Sequence, residues 1–174
     1  MKRKLVNLFK SEKFKKAILV LGGLFYALTI IIVFNPDPFI KYGYFGVFVF
    51  NIFGPGTILV PTLSRYMNVI GVSVVGALGM ALNDSVGWMV GRSGDVVIPR
   101  SKGVKKLEKK LHKWGSWMLF LLALIPFPYD IVVIIAGYLE FSYRSFVIPV
   151  FLARTIRFML LGFGVVAVWG RVVN

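Results

Sequence analysis

Apolar residues in this chain come in long runs, and polar residues fall between the runs rather than alternating with them. The first run, 17–34, matches one membrane-crossing helix at about 1.5 Å rise per residue. A cleaved leader is the competing reading. The run is long for a leader, however, and no small-x-small site precedes Asn35-Pro36-Asp37-Pro38, so a retained helix is expected. A turn at 35–41 leads into a second apolar stretch, 43–66, broken at its middle by Gly54-Pro55-Gly56. Each half is too short to span a bilayer. The stretch 67–91 is again long enough, and Gly79, Asn83, Gly87 and Gly91 recur every fourth residue along it. That spacing aligns small residues in one ridge and predicts close helix–helix packing. The segment 92–114 is polar and basic, with Val104, Leu107, Leu111 and Trp114 at helical spacing. It reads either as a basic amphipathic helix on the membrane surface or as a solvated loop. The stretch 116–141 repeats the broken pattern, interrupted by Pro126 and Pro128, and 142–170 is the last long span.

Composition narrows the class. Of 174 residues 57% are hydrophobic and 16% charged, with a mean hydropathy of +0.79. These values indicate an integral membrane protein with a single membrane domain, 17–174, behind a basic arm, 1–16. With no cysteine and one histidine, His112, thiolate chemistry, a His-based metal site and a histidine-centred triad are all unexpected. No cofactor or metal is expected. No nucleophile–base pair or workable carboxylate pair stands out, so the chain is not expected to be an enzyme.

The net charge of +14 is placed informatively. Positive charge concentrates in 1–16 and 92–113, and both should be cytoplasmic in a multi-pass protein of the cell membrane. If 43–66 crossed the membrane fully, three crossings would separate the two basic segments and put one outside. If 43–66 is re-entrant, both stay inside. The same reasoning makes 116–141 a hairpin entering from the cytoplasmic face. The predicted architecture is therefore all-α, with about three transmembrane helices and two opposed re-entrant hairpins, the inverted-repeat pattern of transporters. The basic segments flank apolar spans, which suits anionic headgroups as partners and argues against nucleic acid. Self-association is left open.

The candidate chemistry is the charge inside the spans. Asp84 lies near mid-helix beside the glycine ridge, and Asp130 follows the proline break. Arg154 and Arg157, three apart, share a face of the last span. Ionisable groups at that depth cost about 2.5–3.5 kcal/mol or more each unless paired or hydrated. One reading pairs the two arginines with Asp84 and Asp130, to hold the bundle together. Another sets at least one arginine against a lipid phosphate, which suits the planar, permanently charged guanidinium. Asp130 is expected to N-cap the half-helix after the break. Tyr129 and Asn51, near the two hairpin tips, are expected to line a groove, with Gly54, Pro55, Gly56, Pro126 and Pro128 breaking the helices.

GALGMALNDSVGWMVGRSGD (76–95), followed by a basic helix and then LLALIPFPYDIVVIIAGYLEFSYRSFVIPVFLARTIRF, resembles the DedA-like, or VTT-domain, membrane proteins over roughly 40–170. The points of likeness are the glycine helix ending in G-R-x-G, the Pro-Gly loop, and the "I-P … AG" core of the second hairpin. Ala123-Leu124-Ile125-Pro126-Phe127-Pro128-Tyr129 stands where the better-known branch carries arginines. In this respect the chain looks closer to the small YqaA-like branch. The resemblance implies a lipid transporter that moves a phospholipid or polyprenyl phosphate between leaflets, as a scramblase or flippase. An ion-coupled transporter of a small solute and a non-transporting assembly factor are the alternatives.

Overall fold

The computed structural model describes residues 37–53, 56–93, 102–125 and 129–173, with single positions between 20 and 35. Residues 1–16, most of the expected helix 17–34, and the breaks at Gly54, Pro55, Pro126 and Pro128 lie outside these. After one helical turn at Asp37–Ile40, the elements are α1 (Gly43–Phe53), α2 (Gly56–Leu63), α3 (Val69–Arg92), α4 (Lys102–Trp114), α5 (Ser116–Leu124), α6 (Asp130–Tyr138) and α7 (Tyr143–Val173). Among the described residues there is no strand.

Two helices, α3 and the 143–169 part of α7, are long and apolar enough to cross a membrane. They pack against each other as the spine of the fold, and only 33% of the apolar window of α7 is buried. A soluble core helix would hide such a surface. Here Leu78, Val86, Leu160 and Phe163 remain exposed, as lipid-facing positions would be.

Each broken stretch lays one arm on each spine helix. α1 packs on α3 while α2 packs mainly on α7; α6 packs on α3 while α5 packs on α7. The glycine ridge explains the approach of both. A Cβ at Gly79 would lie 2.6 Å from the Phe48 carbonyl oxygen, so α1 crosses there against bare backbone. A Cβ at Gly87 would meet Val133, and one at Gly91 would collide with the Ile134 carbonyl, so α6 uses the next two turns of the same ridge. The contact is reciprocal: a Cβ at Gly137 would run into the Trp88 carbonyl oxygen. Gly91 and Gly137 thus mark a close crossing of α3 and α6.

Both broken stretches enter and leave at one end of the spine. Tyr44, at the start of α1, lies against Gly71, at the start of α3, and five residues separate the end of α2 from the start of α3. At the far end, the Phe141 carbonyl after α6 accepts from Trp88 Nε1 at 3.2 Å and from Arg92 Nη1 at 3.3 Å. There α6 closes in a Schellman turn, Phe141 N–H to Ala136 O and Glu140 N–H to Gly137 O, with Glu140 left-handed at φ 59°. Ser116 Oγ, opening α5, donates to the Ser145 carbonyl at 2.8 Å. Pro149 lies four residues after Ser145 and has no N–H to donate, so the serine hydroxyl takes the bond the helix lacks. The two stretches thus approach the spine from opposite ends.

The helix α4 is amphipathic, but its apolar stripe is covered by protein except at Trp114, which is exposed. Leu111 is fully buried, and Val104 and Leu107 pack against the cluster formed by α5, α6 and α7. Lys105, Lys106, Lys109 and Lys110 are exposed. At the other end, the Arg65 guanidinium lies 3.3 Å from the centroid of the Trp169 ring, tying the turn after α2 to the end of α7.

Candidate functional site

Asp84 and Arg154 face each other across the spine, 8% and 4% exposed. Arg154 Nη2 donates to Asp84 Oδ1 at 2.8 Å and lies 2.6 Å from Oδ2. Nη1 donates to the Met80 sulfur at 2.9 Å. The guanidinium sits 5.2 Å from the centroid of the Tyr129 ring, whose hydroxyl donates to the Leu119 carbonyl at 3.1 Å. Tyr129 comes from the second break and lids the pair, with its polar end bonded to the opposite arm of the same stretch. Arg154 Nε makes no hydrogen bond among the described residues, so the guanidinium keeps one unused donor. Met80 was not singled out by sequence reasoning. Its signal was its place one helical turn before Asp84, on the same face.

The expected pairing of two aspartates with two arginines is corrected by the structure. Asp130 pairs with neither arginine: it is exposed and makes no hydrogen bond or ion pair among the described residues. Nor is it the N-cap of α6. Tyr129 occupies that position and Asp130 is the first helical residue, where its carboxylate still faces the positive end of the helix. Asp84 and Asp130 border one cavity of about 110 Å³ with Asn83, Val86, Gly87, Val133 and Ile134. That volume admits water beside both residues.

Arg157 is the remaining charge. It is half-buried, one turn from Arg154, and makes no hydrogen bond or ion pair among the described residues. Since Phe158 lies against Gly76 while Arg154 meets Met80 and Asp84, Arg157 sits toward the half of the spine that carries the first broken stretch. Asn51 is in that half too. It is fully buried, its Nδ2 donates to the Val47 carbonyl at 2.7 Å, and its Oδ1 has no partner among the described residues. Its side chain packs at Gly79 and Gly76 and is not part of the Asp84–Asp130 cavity. The structure therefore gathers Asp84, Arg154, Tyr129 and Asp130, and leaves Asn51 and Arg157 apart from them. Of the predicted helix breakers, Gly56 opens α2, and the other four fall outside the described residues.

The family model for the VTT domain matches residues 54–166, from the first break to near the end of α7. The chain belongs to the VTT-domain family. A stretch of 48 residues is 35% identical to a Histophilus somni protein named as an uncharacterised HI0703 homologue. This alignment covers 28% of the chain and 25% of that protein's length. No solved structure matches. The matched residues take in α2 to α6, α7 as far as 166 and the buried ion pair of this VTT domain, while α1 lies before them.

Proposed function

We propose that this VTT-domain chain moves a phosphate-bearing lipid between membrane leaflets, with α1–α2 and α5–α6 acting as opposed re-entrant hairpins between spanning helices. Arg157 carries the reading. A half-buried guanidinium in the middle of a long apolar helix, with no partner among the described residues, is a charge awaiting an anion. Arg154 is already neutralised by Asp84, so the pair fixes the spine while Arg157 meets the phosphate. The barrier to lipid exchange is the cost of drawing a charged headgroup through hydrocarbon. Gly54-Pro55 and Pro126 with Pro128 interrupt two apolar stretches, and a bilayer accepts interrupted helices only around a protein-lined or hydrated space. No bond is made or broken, and no cofactor is required.

The test is scrambling in proteoliposomes with a headgroup-labelled lipid and an impermeant quencher. Wild type should expose inner-leaflet lipid, and Arg157→Gln should slow this about tenfold or more, since each 1.4 kcal/mol of lost compensation is about tenfold in rate. Wild-type vesicles indistinguishable from protein-free ones, for both a phospholipid and a polyprenyl phosphate, would rule passive lipid movement out. Arg157→Gln vesicles that scramble like wild type would make Arg157 a packing residue and favour an assembly role. A second reading, proton- or sodium-coupled solute transport, is favoured by the cavity that Asp84 and Asp130 share. It predicts uptake that depends on an imposed gradient in the same vesicles and is lost in Asp130→Asn.

A further inference from the structure

A groove on the described surface lies away from the charged centre. It has a volume of about 470 Å³, within the range of small-molecule sites, and runs between α5 and α7. Its lining is graded. Ser116, Arg144 and Ser145 stand at one end, where both helices begin; Phe120, Ile148, Pro149 and Leu152 continue from there for about 12 Å along α7 at 1.5 Å per residue. Trp117, 69% exposed, flanks the entrance. The Ser116–Ser145 bond pins the two helix starts together and uses the carbonyl that Pro149 frees, so the groove has a fixed rather than a collapsible floor. Arg144 is exposed and makes no hydrogen bond or ion pair among the described residues. No carboxylate lines the groove, and exposed Lys113 lies three residues before Ser116.

A slot with one free cation at its mouth and hydrocarbon along its length has the shape and charge pattern of an anionic lipid. We infer that the α5–α7 groove seats one membrane lipid with a singly charged phosphodiester headgroup, the phosphate on Arg144 and an acyl chain along Phe120, Ile148 and Leu152. Zwitterionic lipids carry a compensating cation that would face Arg144 and Lys113, so the seat discriminates by headgroup. The site is separate from the transport route and does not depend on it. A chain that holds this lipid but moves none loses the proposed transport and keeps the seat.

Trp117 makes the seat observable. The full chain in detergent micelles is titrated with acyl-brominated phosphatidylglycerol or acyl-brominated phosphatidylcholine, and tryptophan quenching is recorded. Subtracting the same titration of Trp117→Phe removes the contributions of Trp88, Trp114 and Trp169. The Trp117 component should saturate at a several-fold lower mole fraction of phosphatidylglycerol than of phosphatidylcholine. Arg144→Gln should abolish that preference, and Arg144→Lys should keep most of it. Inorganic phosphate should not compete, because the acyl chain supplies much of the contact; release by millimolar phosphate would mean a plain anion site and overturn the lipid assignment. Equal quenching by both lipids, or a preference that survives Arg144→Gln with unchanged thermal stability, would overturn it as well.

Discussion

The Asp84 carboxylate and the Arg154 guanidinium are both buried in this apolar bundle, and each offsets the charge of the other. Removing one partner of a buried pair leaves an uncompensated charge and costs about 3–5 kcal/mol, whereas replacing both with apolar groups is often neutral. Asp84→Asn and Arg154→Met should therefore each lower the unfolding temperature of the purified chain markedly, and the double variant Asp84→Leu/Arg154→Met should recover most of the loss. Single variants as stable as wild type would mean that water already solvates both charges. The sequence foresaw mutual neutralisation but not its pattern. Residues three apart on a helix stand about 60° apart around its axis, so Arg154 and Arg157 share a broad face without sharing a neighbour. Which of them meets α3 depends on the rotation of α7, and that is set by packing at Gly76 and Gly162, which no local pattern records. Asp130 shows the same limit. The break before α6 was legible, but a one-residue difference in where the helix starts turned an expected cap into an outward-facing first residue.

Helix contacts were more legible than side-chain contacts, because glycine spacing reports directly on how near two backbones come. The ridge of Gly79, Gly87 and Gly91 was expected to pack, and in the structure it receives both broken stretches. Gly91→Ala and Gly137→Ala each push a methyl group into a main-chain carbonyl that cannot rotate away, since it belongs to a helix. Each should cost several kcal/mol, as overpacking of a tight contact does, and should abolish a monodisperse detergent-solubilised product. Gly164→Ala has open space around its Cβ and should behave like wild type or slightly better, since alanine favours helix by about 1 kcal/mol. Size-exclusion profiles of the three variants, prepared in parallel, check this; a normal profile for Gly91→Ala would mean that α3 and α6 lie farther apart. The helix α4 marks what spacing cannot report. Its apolar stripe was plain in the sequence, but a stripe says only that something covers it. Here α5 and α6 do, leaving the lysine face outward.

The arrangement of the whole chain has a consequence that charge counting and geometry reach separately. Counting basic residues puts 1–16 and 92–113 on one side of the membrane only if 43–66 does not cross. The contacts of Tyr44 with Gly71, and of Phe141 with Trp88 and Arg92, put the ends of each broken stretch at one end of the spine, opposite ends for the two. A chain without cysteine makes the membrane side of each segment directly measurable. Single variants Lys10→Cys, Tyr66→Cys and Lys109→Cys are treated in intact cells with an impermeant maleimide, then again after permeabilisation. Tyr66 lies exposed in the turn between α2 and α3 and should label from outside. Lys10→Cys and Lys109→Cys should label only once the membrane is opened. Lys10 and Lys109 labelling from opposite sides would mean that α1–α2 crosses fully. The two broken stretches would then share a direction, and the opposed hairpins on which the lipid route depends would not exist. Labelling of both from inside leaves re-entry as the arrangement that satisfies the charge distribution and the contacts together. It also puts Arg144 and the α5–α7 groove at the cytoplasmic surface, where anionic lipid is available to fill it.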